Sequence, residues 1–91
     1  MRKFVIEREI PGIGAADSGK MRDIARKSNG ILETLGGAIH WVESYVAGDR
    51  LYCVYLAQDE AIIRKHAEKG GFPVNRVTEV KRMIDPSTAL A

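Results

Sequence analysis

The chain has 91 residues, the size of one small domain, and its 14 Lys and Arg against 12 Asp and Glu give a formal net charge of +2. This balance excludes the strongly basic surface of a typical nucleic-acid-binding domain, and the single cysteine, Cys53, excludes an internal disulfide. No apolar run approaches the roughly 20 residues of a membrane span. We therefore expect one soluble cytoplasmic domain at residues 1–86 with a flexible tail at 87–91, and neither a nucleic-acid nor a membrane partner.

The first predicted element is a strand in the run KFVIEREI, from Lys3 to Ile10. Alternation with period two separates its side chains into two sets, of which one is Phe4, Ile6, Arg8 and Ile10 and the other is Val5, Glu7 and Glu9. Pro11 and Gly12 end this strand.

A helix is predicted next, beginning near Asp17 or Ser18 and running to about Leu35. The stretch from Gly14 to Lys20 has the spacing of a phosphate-binding loop, but Met21 stands where that motif needs a Ser or Thr. We therefore interpret this stretch as a capped helix start. Apolar residues at three- and four-residue spacing form one core-facing stripe, consisting of Met21, Ile24, Ala25, Ile31, Leu32 and Leu35.

The second half of the chain predicts a hairpin, a helix and a last strand. The runs IHWVESYV (39–46) and RLYCVYLA (50–57) are separated by a short turn with Gly48, which is typical of a β-hairpin. Asp59 is placed to cap a helix that ends near Lys69, before the glycines and proline of GGFP. A weaker strand pattern covers about 76–84.

The element order βαββαβ predicts an α+β, ferredoxin-like sandwich with a four-stranded antiparallel sheet. Both helices should cover one face of the sheet. Because a domain of this size buries only roughly 60 to 65% of its unfolded surface, we expect the other face to pair with a second copy. The predicted assembly is a homodimer of the dimeric α+β barrel type.

The charged triplet Glu7-Arg8-Glu9 is unusual on a strand that this fold places at the centre of the sheet. In one interpretation Arg8 and Glu9 reach water at the strand end while Glu7 pairs with a basic residue. In the other interpretation Glu7 lies in a polar pocket as a metal ligand or general base.

The chain has only two histidines, His40 on the second strand and His66 on the apolar face of the second helix. Each has a structural explanation by itself, as a hydrogen-bonded imidazole. If both met Glu7 or a tyrosine hydroxyl, the mixed nitrogen and oxygen donors would suit zinc, copper, nickel or ferrous iron. The sequence contains no CxxC or HxxxH motif that would fix such a site.

Aromatic residues and the cysteine are the remaining candidates for a pocket. By default they are core or interface residues, but tyrosine hydroxyls could reach a pocket, and Phe72, between Gly71 and Pro73, could cover one. The candidate pocket residues are Tyr52, Tyr45, Trp41, Phe72 and Cys53.

Four segments, KFVIEREIPG, HWVESYV, LYCVYLA and RKHAEKGGFPVNRV, together resemble the bacterial domain-of-unknown-function 4242 family. One actinobacterial member of that family is a nickel-binding, nickel-responsive protein. The resemblance covers nearly the whole chain and implies a ferredoxin-like subunit that forms a dimer, in a family of which at least one member binds metal. Glu7, His40, Tyr52 and His66 stand in the matching segments, and they are the candidates to which the resemblance points.

The leading hypothesis is a small cytoplasmic metal-binding protein, for nickel or another late first-row ion, with His40, His66 and Glu7 as ligands. The alternative is a dimeric α+β barrel enzyme or ligand-binding protein with a small molecule between sheet and helices. In that case His66 or Glu7 would act as general base, and Tyr52 or His40 would polarise the substrate.

Overall fold

The computed structural model describes residues 1–90 and contains two α-helices and one four-stranded sheet. The elements in chain order are β1 Arg2–Glu9, α1 Ser18–Thr34, β2 Ile39–Ala47, β3 Arg50–Ala57, α2 Glu60–Gly70 and β4 Arg76–Glu79. Short 3-10 helices lie at Ile13–Ala15, Gly36–Ala38 and Pro86–Leu90. The predicted α+β fold with the order βαββαβ is confirmed.

The strands lie in the order β2-β3-β1-β4, and all neighbouring strands are antiparallel. The central pair, β1 and β3, alternates between buried and half-buried residues along most of its length. The core lies between one face of the sheet and the helices, and it consists of Phe4, Ile6, Ile13, Ile39, Leu51, Cys53, Tyr55, Ala57 and Ile63. Within residues 1–90, neither α1 nor α2 covers the opposite face of the sheet.

Aspartate side chains begin both helices, as the sequence predicts. The Asp17 carboxylate accepts from the Lys20 amide at 2.8 Å, and the Asp59 carboxylate accepts from the Ile62 amide at 3.0 Å. Each carboxylate satisfies a backbone N–H that the first turn of a helix leaves without a partner. Within residues 1–90, no helix combines the length and the apolar character that crossing a membrane requires.

The last strand is shorter than predicted, ending at Glu79 instead of near Ile84. It ends there because β1 offers almost no further residues to pair with. Glu79 lies opposite Phe4, and the amide of Val80 donates to the carbonyl of Lys3, near the start of β1, at 2.8 Å. Residues 87–90 of the predicted tail belong to an exposed 3-10 helix, Pro86–Leu90. Ala91, also assigned to that tail, lies outside the described residues.

The β2–β3 turn packs against the connection between β1 and α1. The amide of Ile10 donates to the Asp49 carbonyl at 2.8 Å, and the amide of Gly12 donates to the Asp49 carboxylate at 3.2 Å. A Cβ atom at Gly14 would collide with the backbone carbonyl oxygen of Gly48. The two loops therefore meet through their backbones, at the end of the sheet where α1 begins.

Candidate functional site

A cavity of about 340 Å³ lies between α1 and the core face of the sheet. Most of its lining is apolar, and the polar side chains are contributed by β1, β2, β3 and α1. The lining residues are Arg8, Ile10, Ile13, Met21, Ile24, Ala25, Ser28, Trp41, Ser44, Val46, Leu51, Cys53, Tyr55 and Phe72. The described lining contains no Asp or Glu.

Arg8 is the unusual member of this lining, because it is only 2% exposed. Period-two alternation places it on the core face with Phe4 and Ile6. Its Nη1 donates to the Pro73 carbonyl at 2.8 Å, and its Nη2 lies 3.5 Å from the Tyr55 hydroxyl. The ion pairs in residues 1–90 use other arginines, so no described carboxylate balances the Arg8 charge.

The placement of Arg8 corrects one sequence interpretation, in which it reaches water beside Glu9. Glu9 is exposed, but Arg8 points the other way and is buried beside Tyr55. A buried guanidinium is costly unless its donors are satisfied and its charge is balanced. The guanidinium of Arg8 has one short hydrogen bond, to the Pro73 carbonyl, and one long contact, with the Tyr55 hydroxyl. No carboxylate of the described chain pairs with it.

A group of neutral side chains surrounds this cation. The Oγ of Ser28 lies 3.1 Å from Nε2 of His66, and the His66 ring is 5.6 Å from the ring centroids of both Tyr55 and Phe72. The guanidinium carbon of Arg8 lies 5.6 Å from the Phe72 ring centroid. Nδ1 of His66 has no hydrogen-bond partner in the part of the chain that the structure describes.

Electrostatics keep this group neutral. Burial lowers the pKa of His66, the positive charge of Arg8 lowers it further, and the backbone of Ser28 opposes these effects. Burial raises the pKa of Tyr55, and Arg8 opposes that shift. Arg8 is therefore a permanent cation beside a neutral imidazole and a neutral phenol.

The structure does not bring the three predicted metal ligands together within one chain. His66 is on the helix side of the sheet, whereas Glu7 and His40 are on the face without helices. In register His40 lies opposite Leu56 and Glu7 lies opposite Tyr52, which separates their backbones by roughly 16 Å at ordinary strand spacings. Within residues 1–90, no group of three or more His, Cys, Asp or Glu could hold a metal ion.

The predicted pocket residues also divide between the two faces. Trp41, Cys53 and Phe72 line the cavity, whereas Tyr45 and Tyr52 lie opposite each other on the face without helices. Sequence reasoning did not select four polar residues of the cavity, which are Arg8, Ser28, Ser44 and Tyr55. The alternation on β1 was the available signal, because it groups Arg8 with the apolar core residues.

The face without helices, called the open face below, consists of the outward residues of all four strands. Half-buried apolar residues lie at its centre, and polar or charged residues surround them. From the strand register, its members include Lys3, Val5, Glu7, Glu9, His40, Glu43, Tyr45, Arg50, Tyr52, Val54, Leu56, Arg76 and Thr78. His40 and Tyr45 are exposed on the edge strand β2.

Comparisons with known proteins agree with this architecture. The crystal structure of SCO4226 from Streptomyces coelicolor A3(2) superposes with a TM-score of 0.74, covering 90% of this chain and 99% of that chain at 15% identity. At that identity the likeness shows the fold alone. No curated protein matches the sequence.

The sequence itself matches a family model over residues 4–80, from the first strand to the end of the last. That family is described as nickel responsive protein SCO4226-like. The match covers most of the chain and all of its regular secondary structure except the two ends. The chain belongs to the SCO4226-like family of nickel responsive proteins.

Proposed function

We propose that this chain is a metal-binding protein whose ion is nickel or another late first-row transition ion, bound at the open face of the sheet. The observation that carries the proposal is the family match over residues 4–80, because the family is described as nickel responsive. The donor chemistry supports it, since imidazole and carboxylate groups suit nickel and its neighbours. The open face offers both, in His40 and in Glu7 and Glu43.

His40 is the better candidate of the two histidines. Its side chain is exposed on β2, so an ion reaches the imidazole without any change in the core. His66 has no exposed surface, and its Nε2 is already 3.1 Å from the Ser28 hydroxyl. A metal ion at His66 would have to displace packed side chains and lie near the Arg8 cation.

We propose further that a second copy of the chain completes the metal site. A single exposed imidazole provides one strong ligand, whereas two open faces related by a twofold axis provide the same donors twice. The apolar centre of the open face, Val5, Val54 and Leu56, is the kind of surface that pairing covers. The metal site and the homodimer are therefore one proposal.

Calorimetric titration of untagged, metal-free protein with nickel chloride tests the proposal. We expect stoichiometric binding by the wild type and affinity at least about tenfold weaker in His40→Ala, because losing only an outer hydrogen-bond partner of a ligand typically costs that much. Glu7→Gln tests the proposed carboxylate in the same way. Light scattering with and without nickel reports whether the ion strengthens the dimer.

The matched control is His66→Gln, which removes the buried imidazole and leaves the open face unchanged. It should bind nickel like the wild type once circular dichroism shows that it is folded. The proposal fails if the wild type binds no nickel in stoichiometric amounts. It also fails if His40→Ala binds as tightly as the wild type.

A further inference from the structure

We propose that the cavity between α1 and the sheet binds a small amphiphilic carboxylate, whose carboxylate group pairs with Arg8 and whose hydrocarbon body fills the apolar space. The site lies on the helix side of the sheet, away from the metal proposed for the open face. It rests on the cavity, the burial of Arg8 and the charges around it.

The charge of Arg8 is the first argument. A guanidinium has five N–H donors, and here one makes a good hydrogen bond, to the Pro73 carbonyl, while the contact with the Tyr55 hydroxyl is at 3.5 Å. Since Arg8 also lines the cavity, a ligand there can reach it. The planar guanidinium matches the two oxygens of a carboxylate, and such pairs are among the strongest hydrogen bonds in proteins.

The surroundings of Arg8 also favour an anion. The described cavity lining has no acidic residue that would repel a carboxylate. The hydroxyls of Tyr55 and Ser28 lie in the same lining and can donate to an oxygen ligand. The ammonium group of Lys27 is 5.6 Å from the Phe72 ring centroid, which adds a second positive charge near this ring.

The volume of the cavity and its apolar lining determine which hydrocarbon body the ligand can have. A volume of about 340 Å³ is at the small end of the range for ligand pockets, roughly 300 to 1,000 Å³. Away from Arg8 the surface is built from aliphatic side chains of α1 and of the β1–α1 connection, such as Ile13, Met21 and Ile24. These features fit a monocarboxylate with an aliphatic or aryl body and do not fit a polar polyanion such as a nucleotide.

Trp41 offers a direct readout, because it is the only tryptophan of the chain and it lines the cavity. Octanoate is the probe, and octanamide is the neutral probe of matched shape. We expect a saturable change of Trp41 fluorescence with octanoate, and affinity about tenfold or more weaker for octanamide, as the loss of hydrogen bonds to a charged group predicts. The titrations are made with EDTA present, so that the result is independent of nickel binding.

Two variants and one control identify the site. Arg8→Met should remain folded, because it replaces a buried charge by an apolar side chain of similar length, and it should bind octanoate no better than octanamide. Ala25→Phe fills the cavity from α1 and should abolish the change of Trp41 fluorescence with octanoate and with octanamide. Arg64→Met makes the same replacement at an exposed arginine of α2 and should behave like the wild type.

Three results would overturn the proposal. One is a wild-type protein that does not distinguish octanoate from octanamide or binds neither. Another is a folded Arg8→Met variant that keeps the preference for octanoate. The third is a folded Ala25→Phe variant that binds octanoate as tightly as the wild type.

Discussion

Arg8 and His66 show how one buried charge determines the state of its neighbours. A guanidinium is a cation in proteins, so an imidazole close to it is more stable without a proton. Burial acts in the same direction on His66. The result is a histidine that carries a hydrogen bond to Ser28 in place of a charge, which is a structural role and makes His66 a poor competitor for metal ions.

This arrangement predicts that acid destabilises the fold through His66. The pKa of His66 in the folded state is lowered from its ordinary value of 6.5. Below about pH 6.5 the unfolded chain therefore binds more protons than the folded chain. The free energy of unfolding that neutral His66 contributes above that pH is lost as the pH falls. For one proton, the free energy of unfolding changes by at most about 1.4 kcal/mol per pH unit. We expect the free energy of unfolding, measured with urea, to decrease from pH 7.5 to pH 5.5 in the wild type.

A variant of His66 separates this effect from other titrations. His66→Gln should be less stable than the wild type at pH 7.5, but its free energy of unfolding should vary less with pH. The pKa values of Glu79 and Asp85 are lowered by Arg2 and Ser87, respectively, so these carboxyl groups titrate below this window. An unchanged pH dependence in His66→Gln would contradict the assignment.

At the scale of elements, the two loops at one end of the sheet hold β1, α1 and the hairpin together. Gly14 and Gly48 approach each other so closely that no side chain fits at Gly14. By contrast, Gly30 lies in the middle of α1, is exposed, and has no atom within 4 Å of the position of a Cβ. The two glycines therefore differ in what a methyl group would meet.

Gly14→Ala and Gly30→Ala should change stability in opposite directions. Gly14→Ala forces the backbones of the two loops apart and should lower the free energy of unfolding by about 1 to 3 kcal/mol. Gly30→Ala removes a flexible residue from a helix and should raise it by about 0.5 to 1 kcal/mol. Urea denaturation at pH 7.5 measures both. A destabilised Gly30→Ala would refute the open space described at Gly30, and a neutral Gly14→Ala would refute the close approach described at Gly14.

Most of the element order follows from hydrophobic period and helix caps, but the distribution of side chains between the two faces does not. Tyr45 has the same parity as Trp41, so unbroken alternation would put both on the core face. An irregularity of the β2–β3 register between Trp41 and Glu43 shifts the phase, so that Ser44 faces the cavity and Tyr45 faces outward. No pattern in the run HWVESYV indicates that bulge.

The cavity beside Arg8 could not be predicted from the sequence either. Alternation groups Arg8 with the core residues of β1, but arginines are mostly exposed, and the strand end offered water as a plausible partner. Burial of Arg8 depends on tertiary contacts, namely the carbonyl of Pro73 and the rings of Tyr55 and Phe72. The space beside it depends on the distance between α1 and the sheet, which helix periodicity does not specify.

At the scale of the whole molecule, the sheet separates two different chemical environments. On the helix side, a buried cation and an apolar cavity favour a small anion. On the open face, exposed donors surround an apolar centre, which favours a metal ion and a second chain. The two proposals can therefore fail independently, because Arg8 and His40 lie on opposite faces of the same sheet.

The proposed dimer predicts that a charge at the centre of the open face prevents association without unfolding the chain. Val54 is half-buried in the single chain and lies on β3 between Val5 and Glu43. A lysine at this position can extend into water in a monomer, but in a dimer it would bury two charges without partners. Light scattering after gel filtration should give twice the mass of the 10.1 kDa chain for the wild type and the single mass for Val54→Lys.

Ala61→Lys is the matched control, because it adds the same charge at an exposed position of α2 and should leave the dimer intact. Circular dichroism of both variants checks that they are folded. Specific interfaces commonly bury about 1,200 to 2,000 Å² in total, so one buried lysine per chain at the centre should be sufficient to separate the copies. A wild type that is monomeric at all concentrations, or a Val54→Lys variant that stays dimeric, would show that the chains do not pair through the open face.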